Sequence, residues 1–164
     1  MRLTQWTDYT LRVLMYCASY QGRKEPITIT EIAENYSISR SHLTKIVQQL
    51  AAMRLLETTR GRGGGIRLVK ATVDINIGAV VRQTETDFNM VECFDPMQNQ
   101  CSLSQRCQLK GLLHKATASY LAVLDAMTLQ DLAEPATRSN ATSRSGSALT
   151  HVAHPKSRRH IPPT

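Results

Sequence analysis

The chain has 164 residues, a net charge of +7 and a hydrophobic content of 41%, which indicates one ordinary globular domain with room for a short appendage. This length excludes a multidomain enzyme, and the sequence has no run of 18 apolar residues that could span a membrane. The first residues lack the apolar segment of a signal peptide, so we expect a cytoplasmic protein whose thiols are reduced.

The positive charge is concentrated in two parts of the chain. Residues 40–70 carry seven basic side chains and one acidic one, and residues 136–164 carry five basic and no acidic ones. Residues 71–135 carry four basic and eight acidic ones. A focused basic block is typical of a surface that faces a polyanion, so nucleic acid is the expected partner.

Three helices are predicted in the first third of the chain. Apolar residues at helical spacing predict a first helix from Trp6 to Tyr20. The sequence Thr28-Ile29-Thr30-Glu31 is a capping box that begins a short second helix. Ser39 can cap a third helix, whose apolar stripe is Leu43, Ile46, Val47 and Leu50. Two short helices joined by a tight polar turn predict a helix-turn-helix at about residues 28–51.

A glycine-rich hairpin follows the helices. Two β-prone runs, at residues 55–59 and 66–69, flank the sequence Arg60-Gly61-Arg62-Gly63-Gly64-Gly65. This pattern predicts a two-stranded wing at about residues 55–69. A phosphate-binding loop is the poorer interpretation, because no helix with Lys-Ser/Thr follows the glycines.

The remaining chain predicts one more short helix, at residues 75–83, and then a long one. The long helix begins at Leu109, has about 20 residues and ends near Pro135. Its apolar stripe is Leu109, Leu112, Ala116, Tyr120, Val123 and Met127. This face is larger than a small domain needs, so we expect it to pack against its twin in a homodimer; packing back on its own core is the alternative.

The fold class is therefore mainly α: a winged helix-turn-helix with a two-stranded wing and a long C-terminal dimerisation helix. The expected DNA-binding domain spans residues 1–83. Residues 84–134 hold a cysteine loop and the dimerisation helix, and residues 135–164 are expected to form a disordered basic tail.

The basic block supplies the candidate DNA-binding residues. The third helix has no acid between Arg40 and Met53, and its long or hydroxylated side chains can reach base edges or phosphates in the major groove. Arginines of the wing can reach the minor groove or the backbone. The candidates are Thr28, Ser39, Arg40, Ser41, His42, Thr44, Lys45, Gln48, Arg60, Arg62 and Arg67. A solvated helix face is the alternative, although such faces usually carry Glu as well as Lys.

Three cysteines lie within 15 residues. Cys93, Cys101 and Cys107 are separated by seven and five residues. Thiolates on an irregular segment can surround an iron–sulfur cluster, zinc or copper(I), with accidental clustering or a redox switch as alternatives. The spacing matches neither a zinc ribbon nor a ferredoxin. Three thiolates leave one metal position for a different ligand. Cys17, on the apolar face of the first helix, is expected to be a small buried hydrophobe.

Together these features resemble the iron–sulfur winged-helix repressors of the NsrR type. The resemblance covers about residues 1–134 and rests on the opening MRLTQWTDY, the sequence Thr30-Glu31-Ile32-Ala33, the wing from Arg62 to Leu68, and the cysteine loop. It implies a homodimeric repressor that binds an inverted-repeat operator. It further implies that the three cysteines hold a 4Fe–4S or 2Fe–2S cluster, with Asp8 from the other subunit as fourth ligand. For Asp8, a helix N-terminal carboxylate favoured by the macrodipole is the alternative.

The resemblance implies that nitric oxide attacks the cluster, frees the ligands that join the subunits, and so relieves repression. A sensor of iron or iron–sulfur supply, of the IscR type, is the second interpretation. From another class, a small iron–sulfur redox protein remains an alternative, as does a cluster-free DNA-binding protein whose cysteines bind zinc. An enzyme is not expected, because the sequence has no dyad of catalytic carboxylates and no nucleotide fingerprint.

Overall fold

The computed structural model describes residues 2–61, 63–103 and 106–133. Arg62 and the predicted tail lie outside the described residues. The described chain is mainly helical with one two-stranded sheet, which confirms the predicted fold class of a winged helix-turn-helix with a long C-terminal helix. Its elements are α1 (Gln5–Ser19), α2 (Ile29–Tyr36), α3 (Arg40–Ala52), β1 (Leu56–Thr59), β2 (Gly65–Leu68), a 3₁₀ turn (Thr72–Asp74), α4 (Ile77–Thr84), a second 3₁₀ turn (Glu92–Phe94), α5 (Gln108–Asp125) and α6 (Leu129–Ala133).

Hydroxyl side chains begin the first three helices. Thr4 Oγ1 accepts the backbone N–H of Thr7 at the start of α1. The capping box at Thr28 is complete, since Glu31 also reaches back to the N–H of Thr28. Ser39 Oγ accepts the N–H of His42 and begins α3. These bonds satisfy N–H groups that a helix leaves unpaired at its start, which is why the helices begin where the sequence predicts.

The core lies around α1, which packs against α3, α4, α6 and β2. The predicted stripe of α3 points into it, and all four residues, Leu43, Ile46, Val47 and Leu50, are buried. Cys17 is buried as expected, and burial raises the pKa of its thiol to about 12. Because these apolar side chains face inward, the polar side chains of α3 lie on its accessible side.

The wing is fixed to the helices through its backbone. Strands β1 and β2 are antiparallel, with Leu56 opposite Leu68 and Thr59 opposite Gly65. The N–H of Ile66 donates to the carbonyl of Ile27 at 2.7 Å, just before α2. A Cβ atom at Gly65 would press on that carbonyl. Glycine at position 65 therefore allows the wing and the loop before α2 to come together.

The long helix is shorter than predicted, because the chain turns back after Asp125 instead of continuing toward Pro135. The Asn76 side-chain amide donates to the Asp125 carbonyl at 2.7 Å. Both the N–H and the hydroxyl of Thr128 donate to the Asp131 carboxylate at 2.7 Å, which begins α6. Leu129 is fully buried and its N–H donates to the Ile75 carbonyl at 2.8 Å. Burial of Leu129 and these polar contacts favour the turn over a continued helix.

A shared carboxylate joins α1 to the helix-turn-helix. Glu31 Oε1 accepts from the Tyr16 hydroxyl at 2.8 Å and from Arg23 Nη1 at 2.6 Å. Its other oxygen accepts from Arg23 Nη2 at 2.9 Å. The Arg23 hydrogen bonds, with that of Tyr16, lower the pKa of Glu31 to about 2. The ionised carboxylate thus stabilises the folded state.

Replacing Glu31 with glutamine will lower the free energy of unfolding at pH 7 by about 1–2 kcal/mol, since charge-assisted hydrogen bonds are lost. The folded-state pKa of Glu31 lies below its ordinary value of 4.5. Its contribution is therefore present above pH 4.5 and is lost as the pH falls toward 2. Urea unfolding at pH 7 and pH 3 will show a smaller loss of stability on acidification for Glu31→Gln than for wild type. Glu34→Gln, at an exposed position of the same helix, will behave as wild type. If acidification to pH 3 lowered the free energy of unfolding of Glu31→Gln as much as that of wild type, Glu31 would not be the stabilising carboxylate.

Candidate nucleic-acid interface and thiol site

An open groove of about 460 Å³ lies between α3 and the wing. The first turn of α2, the polar face of α3 and the wing form its walls. The lining side chains that can form hydrogen bonds are Thr28, Thr30, Arg40, Thr44, Gln48, Thr58, Thr59 and Arg60. None of the lining residues that the structure describes is acidic. The groove therefore presents hydroxyl, amide and guanidinium groups to a ligand, a combination suited to an anionic polymer.

The polar row along α3 follows from helical spacing. Arg40, Thr44 and Gln48 are four residues apart, so they lie one above the other along α3, beside the buried stripe and next to Val47, which also lines the groove. The Thr44 hydroxyl donates to the Arg40 carbonyl at 2.8 Å, which leaves its oxygen to act as an acceptor. Arg40 and Gln48 are the donors that this row offers.

Four further candidates at the start of α3 do not line the groove. Ser39 is occupied as the helix cap, and its hydroxyl oxygen lies 3.3 Å from that of Ser41. The His42 ring lies 6.3 Å from the Tyr9 ring of α1, measured between centroids. Lys45, like the other three, is exposed. All four therefore lie on the accessible surface.

Arg67 of the wing does not line the groove that Arg60 lines. Arg67 is exposed beside a different pocket, and its Nη2 donates to the Lys24 carbonyl at 3.0 Å. Successive residues of a strand point to opposite faces. Arg67 therefore points away from the groove, although its neighbour Ile66 lines it. Arg62 lies outside the described residues. Of the two wing candidates that the structure describes, Arg60 lines the groove and Arg67 does not.

Sequence reasoning missed three hydroxyl groups of the groove. Thr30 is in the first turn of α2, and Thr58 and Thr59 end β1 next to Arg60. For Thr58 and Thr59, the sequence signal was their position directly before the basic tip of the wing, at Arg60. The pairing of β1 with β2 brings them opposite α3, a contact that no local pattern reveals.

The three cysteines of the loop occupy different local structures. Cys93 is half-buried in the second 3₁₀ turn, and Cys101 is exposed. Cys107 is the N-cap of α5, where its Sγ accepts the Lys110 N–H at 3.4 Å. The partial positive charge of a helix N-terminus favours an anionic ligand at that place. All three are free thiols.

These donors fit a thiolate-bound metal cluster in their chemistry. Soft sulfur ligands on an irregular segment are the type that iron–sulfur clusters use. Across residues 2–61, 63–103 and 106–133, however, no three His, Cys, Asp or Glu side chains are grouped so that they could hold a metal ion. The three sulfurs would therefore have to be drawn together when such a group binds.

Asp8 lies in the first turn of α1 and is paired within its own helix. Its carboxylate accepts from Arg12 Nε at 3.0 Å and lies 2.9 Å from Arg12 Nη2. Both side chains are close to half exposed. That Asp8 is a ligand of a cluster held by the cysteines of the other subunit stays a prediction.

One face of α5 is exposed along its whole length. Within the helix only Thr117 is buried, and the predicted stripe residues Leu109, Leu112 and Val123 are 58%, 63% and 67% exposed. With Ala116 and Ser119, also exposed, they alternate at spacings of three and four residues, the pattern of a helix–helix seam. At the C-terminal end of α5, the Asp125 carboxylate accepts two hydrogen bonds from Arg82 of α4.

Among the described helices none has both the length and the apolar character needed to cross a lipid bilayer.

The chain resembles known regulators in sequence and in fold. Residues 3–135 match the Rrf2 family, described as an iron-dependent transcriptional regulator. Over 132 residues the chain is 54% identical to the HTH-type transcriptional regulator NsrR of Bacillus subtilis, covering 80% of this chain and 90% of that protein. It is 52% identical to NsrR of Bacillus licheniformis over 132 residues, 80% of this chain and 92% of the relative. The solved structure of CymR, the global cysteine regulator of B. subtilis, shares the fold with a TM-score of 0.64 at 24% identity, over 81% of this chain and 96% of that one.

Proposed function

Because the chain belongs to the Rrf2 family of transcriptional regulators, we propose that it is a homodimeric repressor that binds operator DNA and releases it in response to nitric oxide. The observation that carries the DNA-binding part is the groove between α3 and the wing, which collects two arginines, one glutamine and five threonines without a lining acid. Cysteine chemistry and the names of the relatives support the sensing part.

In this proposal α3 enters the major groove with its polar face. Arg40 and Gln48 are the hydrogen-bond donors that α3 contributes to the protein groove. Arginine and glutamine side chains form paired hydrogen bonds with guanine and adenine edges, respectively. Arg60 at the wing reaches the neighbouring backbone, and the threonine hydroxyls add neutral phosphate contacts. The exposed candidates outside the groove, including Ser41 and Lys45, contact the flanking phosphates.

Salt dependence will separate the charged from the neutral contacts. Arg60→Gln will weaken operator binding and reduce the slope of log K against log salt by about one unit, since one phosphate loses its cation. Thr58→Val will weaken binding with an unchanged slope, because a hydroxyl displaces no counterion. Fluorescence anisotropy over a salt series measures both quantities.

The control for this comparison is Lys115→Gln, which removes an exposed cation of α5 outside the groove and will leave the slope unchanged. A wild-type slope for Arg60→Gln would remove Arg60 from the phosphate contacts. An equal loss of slope in Arg60→Gln and Lys115→Gln would assign the effect to overall charge and not to the groove.

For the sensing part, Cys93, Cys101 and Cys107 would hold an iron–sulfur cluster. When bound, such a cluster supplies iron at which nitric oxide can react. Cys107 would contribute its sulfur from the start of α5, and Asp8 would contribute a carboxylate from the α1 of the partner subunit. To do so, Asp8 must leave the Arg12 guanidinium that binds it in the single chain. The ligands would thereby join the first helix of one subunit to the cysteine segment of the other.

The exposed face of α5 is the proposed dimer contact. Its apolar residues lie in solvent in the single chain, and a seam with alternating spacings of three and four residues suits a second copy of the same helix. A twofold pair of these helices would set the two α3 helices to half-sites about 34 Å apart, one turn of DNA.

A sensor of iron or iron–sulfur supply is the second candidate function. It is favoured by the description of the matching family as iron-dependent. The two functions differ in the signal: loss of operator binding on iron removal, without any effect of nitric oxide on the iron-loaded protein, would favour this candidate.

A further inference from the structure

Two side-chain contacts attach the cysteine segment to α5. The rings of Phe94 and His114 are stacked, with centroids 3.8 Å apart and planes at 8°. The Thr117 hydroxyl lies 3.1 Å from Met90 Sδ. His114 and Thr117 are three residues apart and share one face of α5. The residues around Cys93 therefore run along this helix.

The stack restrains the backbone that carries Cys93. Phe94 follows Cys93 directly within the 3₁₀ turn Glu92–Phe94, and its N–H donates to the Val91 carbonyl at 3.0 Å. A ring held at one end of so short a turn restricts the adjacent residue. Thr117 is the one buried residue of α5. Apolar packing against this helix therefore adds little to the two side-chain contacts that hold the cysteine segment.

Two of the three thiols thus depend on α5 for their position. Cys107 is its N-cap, and His114 follows seven residues later, about 10 Å along the helix axis at the usual rise. Cys101, the third thiol, is exposed. The helix thus begins at Cys107 and contacts the residue after Cys93, and Cys101 lies on the loop between them.

We infer that His114 is a positioning residue for Cys93, acting through the ring of Phe94. This inference rests on the proposed function insofar as Cys93 is taken as a cluster ligand. A flat ring at position 114 is what the contact requires, so a phenyl group can replace the imidazole and a methyl group cannot.

The first test measures thiol reactivity in the full-length, metal-free protein and needs no cluster. Iodoacetamide labelling followed by mass spectrometry gives the rate at each cysteine. In His114→Ala the rate at Cys93 will rise at least about threefold through local opening, while the rate at exposed Cys101 stays the same. His114→Phe will restore the wild-type rate at Cys93, and Lys115→Ala, one residue along α5, will leave it unchanged.

The second test measures how fast anaerobically loaded protein loses iron to a chelator. His114→Ala will lose it faster than wild type and His114→Phe at the wild-type rate. Wild-type rates for His114→Ala in both tests would overturn the inference. If wild-type protein binds no iron, the cluster part of the proposed function fails, and the labelling test still decides whether His114 positions Cys93.

Discussion

Replacing Leu112 with aspartate will convert the proposed dimer to a monomer and lower the operator affinity by at least about 100-fold, equivalent to about 3 kcal/mol. Leu112 lies within the exposed stripe of α5 and is 63% exposed, so the substitution does little harm to the single chain. In a dimer it would place two like charges in an apolar contact, where unpaired charges are strongly unfavourable. A monomer also loses the gain from binding two half-sites at once.

Light scattering after gel filtration and DNA-binding anisotropy will measure the two effects of Leu112→Asp. Ala118→Asp is the matched control, since it adds the same charge at an exposed position of α5 about 100° around the helix from Ser119. It will remain dimeric. Should Leu112→Asp stay dimeric and bind DNA as wild type, α5 is not the dimer contact.

Nitric oxide will lower the operator affinity of anaerobically purified protein by at least about tenfold, and that protein will contain iron and sulfide. A signal shifts a two-state equilibrium only by its differential affinity for the two states, and a shift from 1:99 to 99:1 requires about 5.5 kcal/mol. In the proposed function, loss of the cluster ligands would supply this difference between the two states. The absorption spectrum, iron and sulfide analysis, and operator binding before and after stoichiometric nitric oxide measure this directly.

Serine at Cys93, Cys101 and Cys107 together will abolish iron binding and the response to nitric oxide. Cys17→Ala, which changes the buried thiol outside the loop, will retain both. Iron-loaded protein with equal operator affinity before and after nitric oxide would refute the proposed signal while leaving the DNA interface intact. Iron-free wild-type protein would refute the cluster.

The helix-turn-helix was predictable because its determinants are local. The capping box at Thr28, the cap at Ser39 and the apolar stripe of α3 each involve residues within one or two helical turns, and the structure places them as the sequence predicts. The glycine-rich wing is likewise encoded by adjacent residues. Such local patterns predict the fold correctly when the residues that they place on the apolar face are also buried, as Leu43 and Leu50 are.

The features that escaped prediction depend on contacts distant in sequence. The end of α5 is set by Asn76, which lies 49 residues before Asp125. The carbonyl that Arg67 binds on the far side of the wing belongs to Lys24, 43 residues away. The cysteine spacing indicates which ligands are available, but it does not specify how the loop arranges them in the single chain.

The hydrogen bond between Ile66 and Ile27 has a consequence for regulation. It joins the wing to the start of α2, and α2 packs against α3, so in the proposed dimer each subunit would present these elements to DNA as one unit. In that dimer the proposed signal would act on the distance and angle between two such units, and the number of base pairs between half-sites would then contribute to target choice beside the bases themselves.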